Sequence, residues 1–304
     1  MNKRQVGKSD LYVSELGLGC MSLGTEPKKA QEIIEAALEE GMNYFDTADL
    51  YDFGENERII GQVLKPVRDK VIIATKVGNR WSENKDGWSW DPSKKYIKEA
   101  VKNSLTRLGT DYIDLYQLHG GTMEDPIVET IEAFEELKAE GIIRYYGISS
   151  IRPNVIREYA KKSSIVSVMM QYSMLDRRPE EEALPLLEDY NISAVTRGPL
   201  AKGLLSNKML DKASEKGFLD YNYEELSNTL PQLKEKLADS RIMTEIALQF
   251  NLAQPAVSSV VAGASKVEQI RENAKAVRAN PLSKAELSLI QSITKANQYE
   301  QHRL

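Results

Sequence analysis

Eight short apolar runs recur along this chain, each followed by a longer amphipathic stretch, with Gly, Pro, Asp and Asn at the joins. The runs fall at residues 15–19, 43–46, 71–76, 113–119, 142–148, 167–171, 192–196 and 256–261. Several hold consecutive aliphatic or β-branched residues, VIIAT and SSVVA among them. Unbroken runs of that kind suit strands buried on both faces, as in a parallel sheet. The stretches between them read as helices. Residues 28–40 carry Ile33, Ile34, Ala37 and Leu38 on one face and stop at Gly41; residues 92–108 and 126–140 repeat the spacing and stop at Gly109 and Gly141. A spacing of three or four makes an apolar stripe, and a following glycine ends the helix.

Eight strand–helix units predict an α/β fold, a (β/α)8 TIM barrel formed as one domain over residues 1–304. An open doubly wound sheet fits less well, because no GxGxxG follows the first run and no second domain is needed for the remaining length. Ahead of the barrel, KRQVGKSDLYV reads as an N-terminal β-hairpin turning between Gly7 and Asp10. Residues 201–240 are too long for a plain connection and are expected to cross the barrel mouth, with helix over 228–237. A final helix is expected over 284–296.

Charge and composition remove several function classes. With 40 Lys+Arg against 45 Asp+Glu, the net charge is −5 and no basic stripe of a nucleic-acid binder stands out. No run of about 18 apolar residues could span a bilayer. The opening residues lack the apolar segment of a secretory signal, and Cys20 is the only cysteine, so no internal disulfide is possible. A cytoplasmic monomer without nucleic-acid or membrane partners is the expectation. The two histidines are too few for a metal-dependent barrel hydrolase, so no metal is expected.

In such barrels the reactive groups gather at the C-terminal ends of the strands. The second run ends in Asp46, with Tyr51 in the loop after it; the third ends in Lys76 and the fourth in His119. Four residues far apart in sequence would meet at one rim. Each has a bland reading: a strand-end Asp caps a turn, a Tyr packs, a Lys is solvated. His119 stands out because it closes an otherwise apolar run, whereas His302 sits in the tail. A free tyrosine titrates at about pH 10, too high for ready donation at neutral pH. An ammonium beside it favours the phenolate; Lys76 would supply that charge and Asp46 would hold it. Tyr51 would then protonate a carbonyl oxygen as hydride reaches the carbon, with His119 orienting the same oxygen.

The segments FDTADLYDFGENERIIG, IIATKVG, DYIDLYQLHG and GIIRYYGISS resemble the signature segments of the aldo-keto reductase superfamily, in its short-tailed bacterial form. The resemblance runs from the first strand to the helix after the eighth. It implies reduction of aldehydes or ketones to alcohols by direct hydride transfer from NAD(P)H. It also implies that Asp46, Tyr51, Lys76 and His119 are the catalytic tetrad, with Tyr51 as the acid.

The end of the chain points to the cofactor. In AGASKVEQIRENAKA, Ser265 and Glu268 have the spacing of a capping box, which predicts a helix start. Helix N-termini bind anions. Lys266 in the first turn is unfavourable to the helix by itself and suggests a compensating anion, taken as the 2′-phosphate of NADPH. By resemblance, Gly263, Ser265, Lys266, Gln269 and Asn273 meet the adenosine end, although many relatives carry Lys-Ser slightly earlier and an Arg where Gln269 stands. Ser149 and Gln171 match positions that bind the nicotinamide carboxamide; Ser150 replaces the usual Asn. Met21 and Asp46 complete the inner contacts. In TRGPLAKGLL, Gly198, Pro199, Leu200, Lys202 and Gly203 would bring backbone amides to the pyrophosphate. Arg197 stands where many relatives stack an aromatic ring on the nicotinamide. A planar guanidinium stacks too, and it would disfavour the positively charged oxidised ring.

The substrate side is less constrained. Trp81, Trp88 and Trp90 share the loop after the third run and could wall an apolar substrate, with Met21 and Phe53 adding to it. The short tail after Asn280 suggests an open site suited to elongated aldehydes rather than small ones. A different class remains open: a nucleotide-binding regulatory protein with little turnover, similar to potassium-channel beta subunits.

Overall fold

The computed structural model describes residues 1–82, 84–237 and 241–303. Its centre is a closed barrel of eight parallel strands: β1 (Leu16–Gly19), β2 (Tyr44–Asp46), β3 (Ile72–Val77), β4 (Ile113–Leu118), β5 (Ile143–Ser149), β6 (Ser167–Gln171), β7 (Ser193–Arg197) and β8 (Val257–Gly263). Each pairs with the next in chain order, and β8 closes on β1. Every strand falls on a predicted run, displaced by no more than two residues at either end.

The outer layer is helical. Helices α1 (Pro27–Glu39), α2 (Glu55–Leu64), α3 (Lys94–Leu108), α4 (Ile127–Ala139), α5 (Pro153–Lys162) and α6 (Ala183–Asp189) follow the first six strands. Their stripes bury Ile33 and Ile34, Ile59 and Ile60, Ile97 and Val101, and Phe134 against the outside of the barrel. After α3 the chain reverses through Gly109, whose φ of 62° lets its N–H bond back to Leu105 and Thr106.

Two apolar clusters result. One fills the space between barrel and helices. The other fills the barrel itself, where Tyr44, Ile72, Leu115, Met169 and Val195 meet Val6, Leu11 and Val13 of the hairpin Lys3–Gln5/Tyr12–Ser14. The hairpin closes the N-terminal end: Gly7 N–H donates to Ser193 Oγ at the start of β7. Reactive groups are thereby confined to the opposite rim.

The 201–240 segment does cross the mouth, and Ala201, Lys202 and Phe218 from it line the central cavity. Its helix α7 (Tyr223–Leu237) begins earlier than predicted, and residues 238–240 lie outside the described residues. Helix α8 (Met243–Leu252) leads into β8, and α9 (Val267–Val277) and α10 (Lys284–Ile293) end the chain.

The predicted capping box is corrected here. Lys266, not Ser265, is the N-cap of α9, and it makes no side-chain cap. The Ser265 N–H instead donates to Gln269 Oε1 at 2.8 Å. A true box stands at α10, where Ser283 and Glu286 cap each other's backbone. Both sites share one spacing. At α9 the glutamine one turn on reaches the free N–H first, a choice that spacing cannot reveal.

Candidate active site

Strand register brings the first group together. Asp46 at the end of β2 pairs with Ala74 on β3, so Lys76, two residues on, points to the same side and nearer the rim. Lys76 is fully buried, and its Nζ donates to Asp46 Oδ1 at 2.6 Å and to the Thr47 carbonyl at 2.7 Å. Gln117, paired with Lys76 on β4, donates to Asp46 Oδ2 at 3.4 Å. Burial alone would lower the Lys76 pKa; the Asp46 carboxylate beside it reverses this and holds the ammonium above its ordinary value.

Tyr51 reaches the same point from the loop after β2. Its hydroxyl lies 3.4 Å from Lys76 Nζ. The next two residues, Asp52 and Phe53, adopt φ of 49° and 51°, a left-handed conformation costing roughly 1–2 kcal/mol per non-glycine residue. This strained turn leads straight into α2 and leaves the phenol at the barrel mouth. His119 follows β4; its main-chain N–H donates to the Val77 carbonyl at 2.7 Å. Its ring stands edge-on to Tyr51, with centroids 5.9 Å apart. Burial, then the charges of Lys76 and Arg197, push the His119 pKa from 6.5 to about 3. The imidazole is therefore neutral at pH 7, and its buried Nδ1 has no partner among the described residues. All four residues selected from the sequence meet at one point.

They open onto a cavity of about 1010 Å³. The expected cofactor side is represented by Met21, Ser149, Gln171, Arg197, Gly198, Lys202 and Gly263, all on its lining. Gln171 is held in one orientation. Its Nε2 donates to the fully buried Asp176 at 2.8 Å, and Arg178 grips both oxygens of Asp176 at 2.7 and 2.8 Å. The Gln171 carbonyl oxygen is left to face Arg197, whose guanidinium donates to it at 3.1 Å. In the next loop Gly198, Ala201, Lys202 and Gly203 all have positive φ; the N–H groups of Ala201 and Gly203 close the loop on the Gly198 and Leu200 carbonyls, and the cations Arg197 and Lys202 face the cavity. Ala201 and Lys202 hold this shape without being glycine, which is the kind of strain found at binding sites. These donors, the volume and the Gln171 acceptor fit a nicotinamide dinucleotide.

Other expected residues lie elsewhere. Pro199, Leu200 and Gly203 belong to that loop but do not line the cavity. Ser265, Lys266 and Gln269 stand outside it at the start of α9, and Asn273 is buried on that helix. The loop after β3 is a second hairpin, Asn79–Trp81 paired with Trp88–Trp90. Trp88 and Trp90 line the cavity. Trp90 lies so close to Gly78 that a Cβ there would come within 2.5 Å of the ring, and its Nε1 donates to Asp125. Two expectations fail: Trp81 and Phe53 turn away and pack on each other, 5.8 Å between centroids. Register does not separate the tryptophans, since Trp81 lies directly opposite Trp88; the contact with Phe53, itself in the strained turn, is what holds Trp81 off the cavity wall. Gln117, Asp176, Phe218 and Arg152 were not picked out from the sequence. Only Gln117 carried a signal there, as a polar residue inside an apolar run. No residue after Gly263 lines the cavity among the described residues.

A parallel barrel with its polar groups at the C-terminal rim is the layout of a barrel enzyme. Comparison with known proteins supplies the family. The aldo/keto reductase family model matches residues 15–295. The chain is 62% identical to the uncharacterized oxidoreductase YqkF of Bacillus subtilis, covering all of both chains. It is 34% identical to the NADH-specific methylglyoxal reductase of Escherichia coli, over 97% of this chain and 99% of that one. Among solved structures, the holo form of aldo-keto reductase AKR11C1 from Bacillus halodurans superposes with a TM-score of 0.95 at 60% identity, covering both chains completely. The chain belongs to the aldo/keto reductase family, oxidoreductases that use a nicotinamide cofactor. No helix among the described residues is long and apolar enough to cross a membrane.

Proposed function

We propose that this protein reduces aldehydes to alcohols with NADPH, Tyr51 acting as the acid. The observation that carries the reading is the fully buried cation Lys76, bonded to Asp46 at 2.6 Å and lying 3.4 Å from the Tyr51 hydroxyl. When bound, the cofactor supplies hydride to the carbonyl carbon. The chain supplies the rest. Tyr51 gives its proton to the carbonyl oxygen. Lys76 favours the phenolate left behind, and Asp46 keeps the ammonium in place. Neutral His119 orients the oxygen without competing for the proton. Gln171, its amide N–H₂ committed to Asp176, would accept from the carboxamide of the nicotinamide. Ser149 lies beside it on the cavity wall.

The preference for NADPH rests on exposed Lys266, with half-buried Ser265 beside it, ahead of α9. A cation at a helix start is costly unless an anion faces it, and the 2′-phosphate would. Arg197 would stack on the nicotinamide and weaken the oxidised form, which carries a positive charge. Comparing NADP⁺ and NADPH affinities in wild type and Arg197→Tyr tests this: the ratio rises toward NADP⁺ in the variant, and an unchanged ratio removes the idea. Trp88, Trp90, Met21 and Phe218 offer an apolar wall, favouring elongated aldehydes over small ones.

The deciding experiment is NADPH oxidation with aldehydes of increasing chain length, alongside Tyr51→Phe. Turnover by the wild type, reduced about 10²–10⁴-fold in the variant with NADPH binding intact, is the expected result. No turnover by either protein despite bound NADPH would favour a nucleotide-binding regulatory protein instead.

A further inference from the structure

The cavity holds one cation that neither the proton-transfer group nor the nucleotide reading uses. Arg152 is the N-cap of α5 and lies on the cavity wall with Gly121, Thr122 and Ile151. Its Nη1 donates to the Gly121 carbonyl, the only side-chain hydrogen bond of this guanidinium among the described residues. None of the ion pairs among those residues involves it; the Thr122 N–H and hydroxyl beside it are both given to Asp125, and exposed Glu124 is close enough to feel its charge without pairing with it. The remaining guanidinium donors are uncommitted.

Position makes this useful. Gly121 is two residues past His119, and two residues of extended chain reach about 7 Å. The guanidinium is thus anchored on the order of 10 Å from the imidazole backbone, on the wall that carries Trp90 rather than on the β7–β8 side. Asp46 is the only carboxylate on the cavity lining among the described residues, and Lys76 already neutralises it. Arg197 and Lys202 stand on the nucleotide side. A substrate with its carbonyl at Tyr51 and its body along Trp90 would therefore bring its far end to an unpaired cation. Arg152 also occupies a helix N-cap, where a cation is unfavourable until an anion arrives.

We infer that Arg152 selects aldehydes carrying an anionic group, a carboxylate, at the end remote from the carbonyl. The inference rests on the reductase reading and sharpens its substrate class: an apolar body of moderate length with a charged terminus. A fork of guanidinium donors matches a carboxylate in two parallel hydrogen bonds. Because the contact is far from the reacting atoms, it acts on KM and leaves kcat nearly unchanged.

The test uses the purified holoenzyme with NADPH and matched pairs: the half-aldehydes of four- and six-carbon dicarboxylic acids, their methyl esters, and the unsubstituted aldehydes. Wild type should prefer at least one acid over its ester by about tenfold or more in kcat/KM, through KM. In Arg152→Gln the ratio should fall to near one; in Arg152→Glu it should invert; Arg152→Lys should keep part of it. Raising KCl should erode the wild-type preference through screening, which decides the matter even where a variant folds poorly. Equal treatment of acid and ester by the wild type overturns the inference, as does a preference that survives Arg152→Gln. Absence of turnover with acid, ester and unsubstituted aldehyde alike overturns the reductase reading and this inference together. Turnover without preference overturns this inference alone.

Discussion

The two halves of the barrel rim are built on opposite principles. At β2–β4 the polar groups are side chains, buried and fixed by one another: Asp46 and Lys76 are almost wholly covered and share a 2.6 Å hydrogen bond. At β7–β8 they are exposed or belong to the backbone: Arg197, Lys202 and Lys266 project outward, and the loop at Gly198–Gly203 relies on positive φ rather than on side-chain partners. Proton transfer needs donor and acceptor held to fractions of an ångström, which burial in a packed sheet provides. Holding a long anion needs accessible donors that can be reached and left again. One rim therefore tolerates little change, and the other should tolerate graded change.

Replacing Lys76 tests this contrast most severely. Lys76→Met should abolish most turnover and destabilise the fold by about 3–5 kcal/mol, because Asp46 is left charged and buried without its partner. Denaturant melts with kinetics measure both. The double variant Asp46→Asn/Lys76→Met should recover much of the stability and none of the activity. If the single variant folds as well as wild type, the β2–β4 rim is not held together by this pair.

On the other side the effects should be smaller and confined to the ligand. Lys266→Ala should weaken NADPH binding by about tenfold, leave NADH binding close to wild type and leave the melting curve unchanged. Equal loss for both cofactors would move the 2′-phosphate contact away from Lys266.

The mildest test concerns His119. Its pKa is depressed from 6.5 to about 3 in the fold, so the unfolded chain takes up a proton in that window while the folded chain does not. Stability therefore falls as pH drops from about 6.5 toward 3, and is untouched by this group above pH 7. His119→Gln should flatten that limb of a stability–pH curve. It should leave kcat/KM without a histidine ionisation between pH 5 and 8, as in the wild type. A wild-type rate profile with an inflection near pH 6.5 that His119→Gln removes would mean that the imidazole titrates freely.

Legibility in the sequence followed the same division. The eight strands and the convergence of Asp46, Tyr51, Lys76 and His119 were readable because each depends on local patterning plus one topological rule, that strand ends share a rim. Gln171 was readable as a position, but its orientation was not. That depends on Asp176 and Arg178, which lie in a different turn and reveal nothing by spacing. The three tryptophans looked equivalent along the chain; a contact with Phe53 from another loop took Trp81 off the cavity wall.

Taken by itself, the sequence determined the alternation of elements, hence the barrel, and the identity of the groups at its mouth. Short-range sterics and apolar periodicity act within about ten residues and need no partner from elsewhere. Tertiary structure alone decided which charges are neutralised and which stay available. That is why Lys76 is committed to Asp46 while Arg152 stands open to the cavity. Pairing and burial depend on distances between segments brought together only when the sheet closes, and on the dielectric that closure creates.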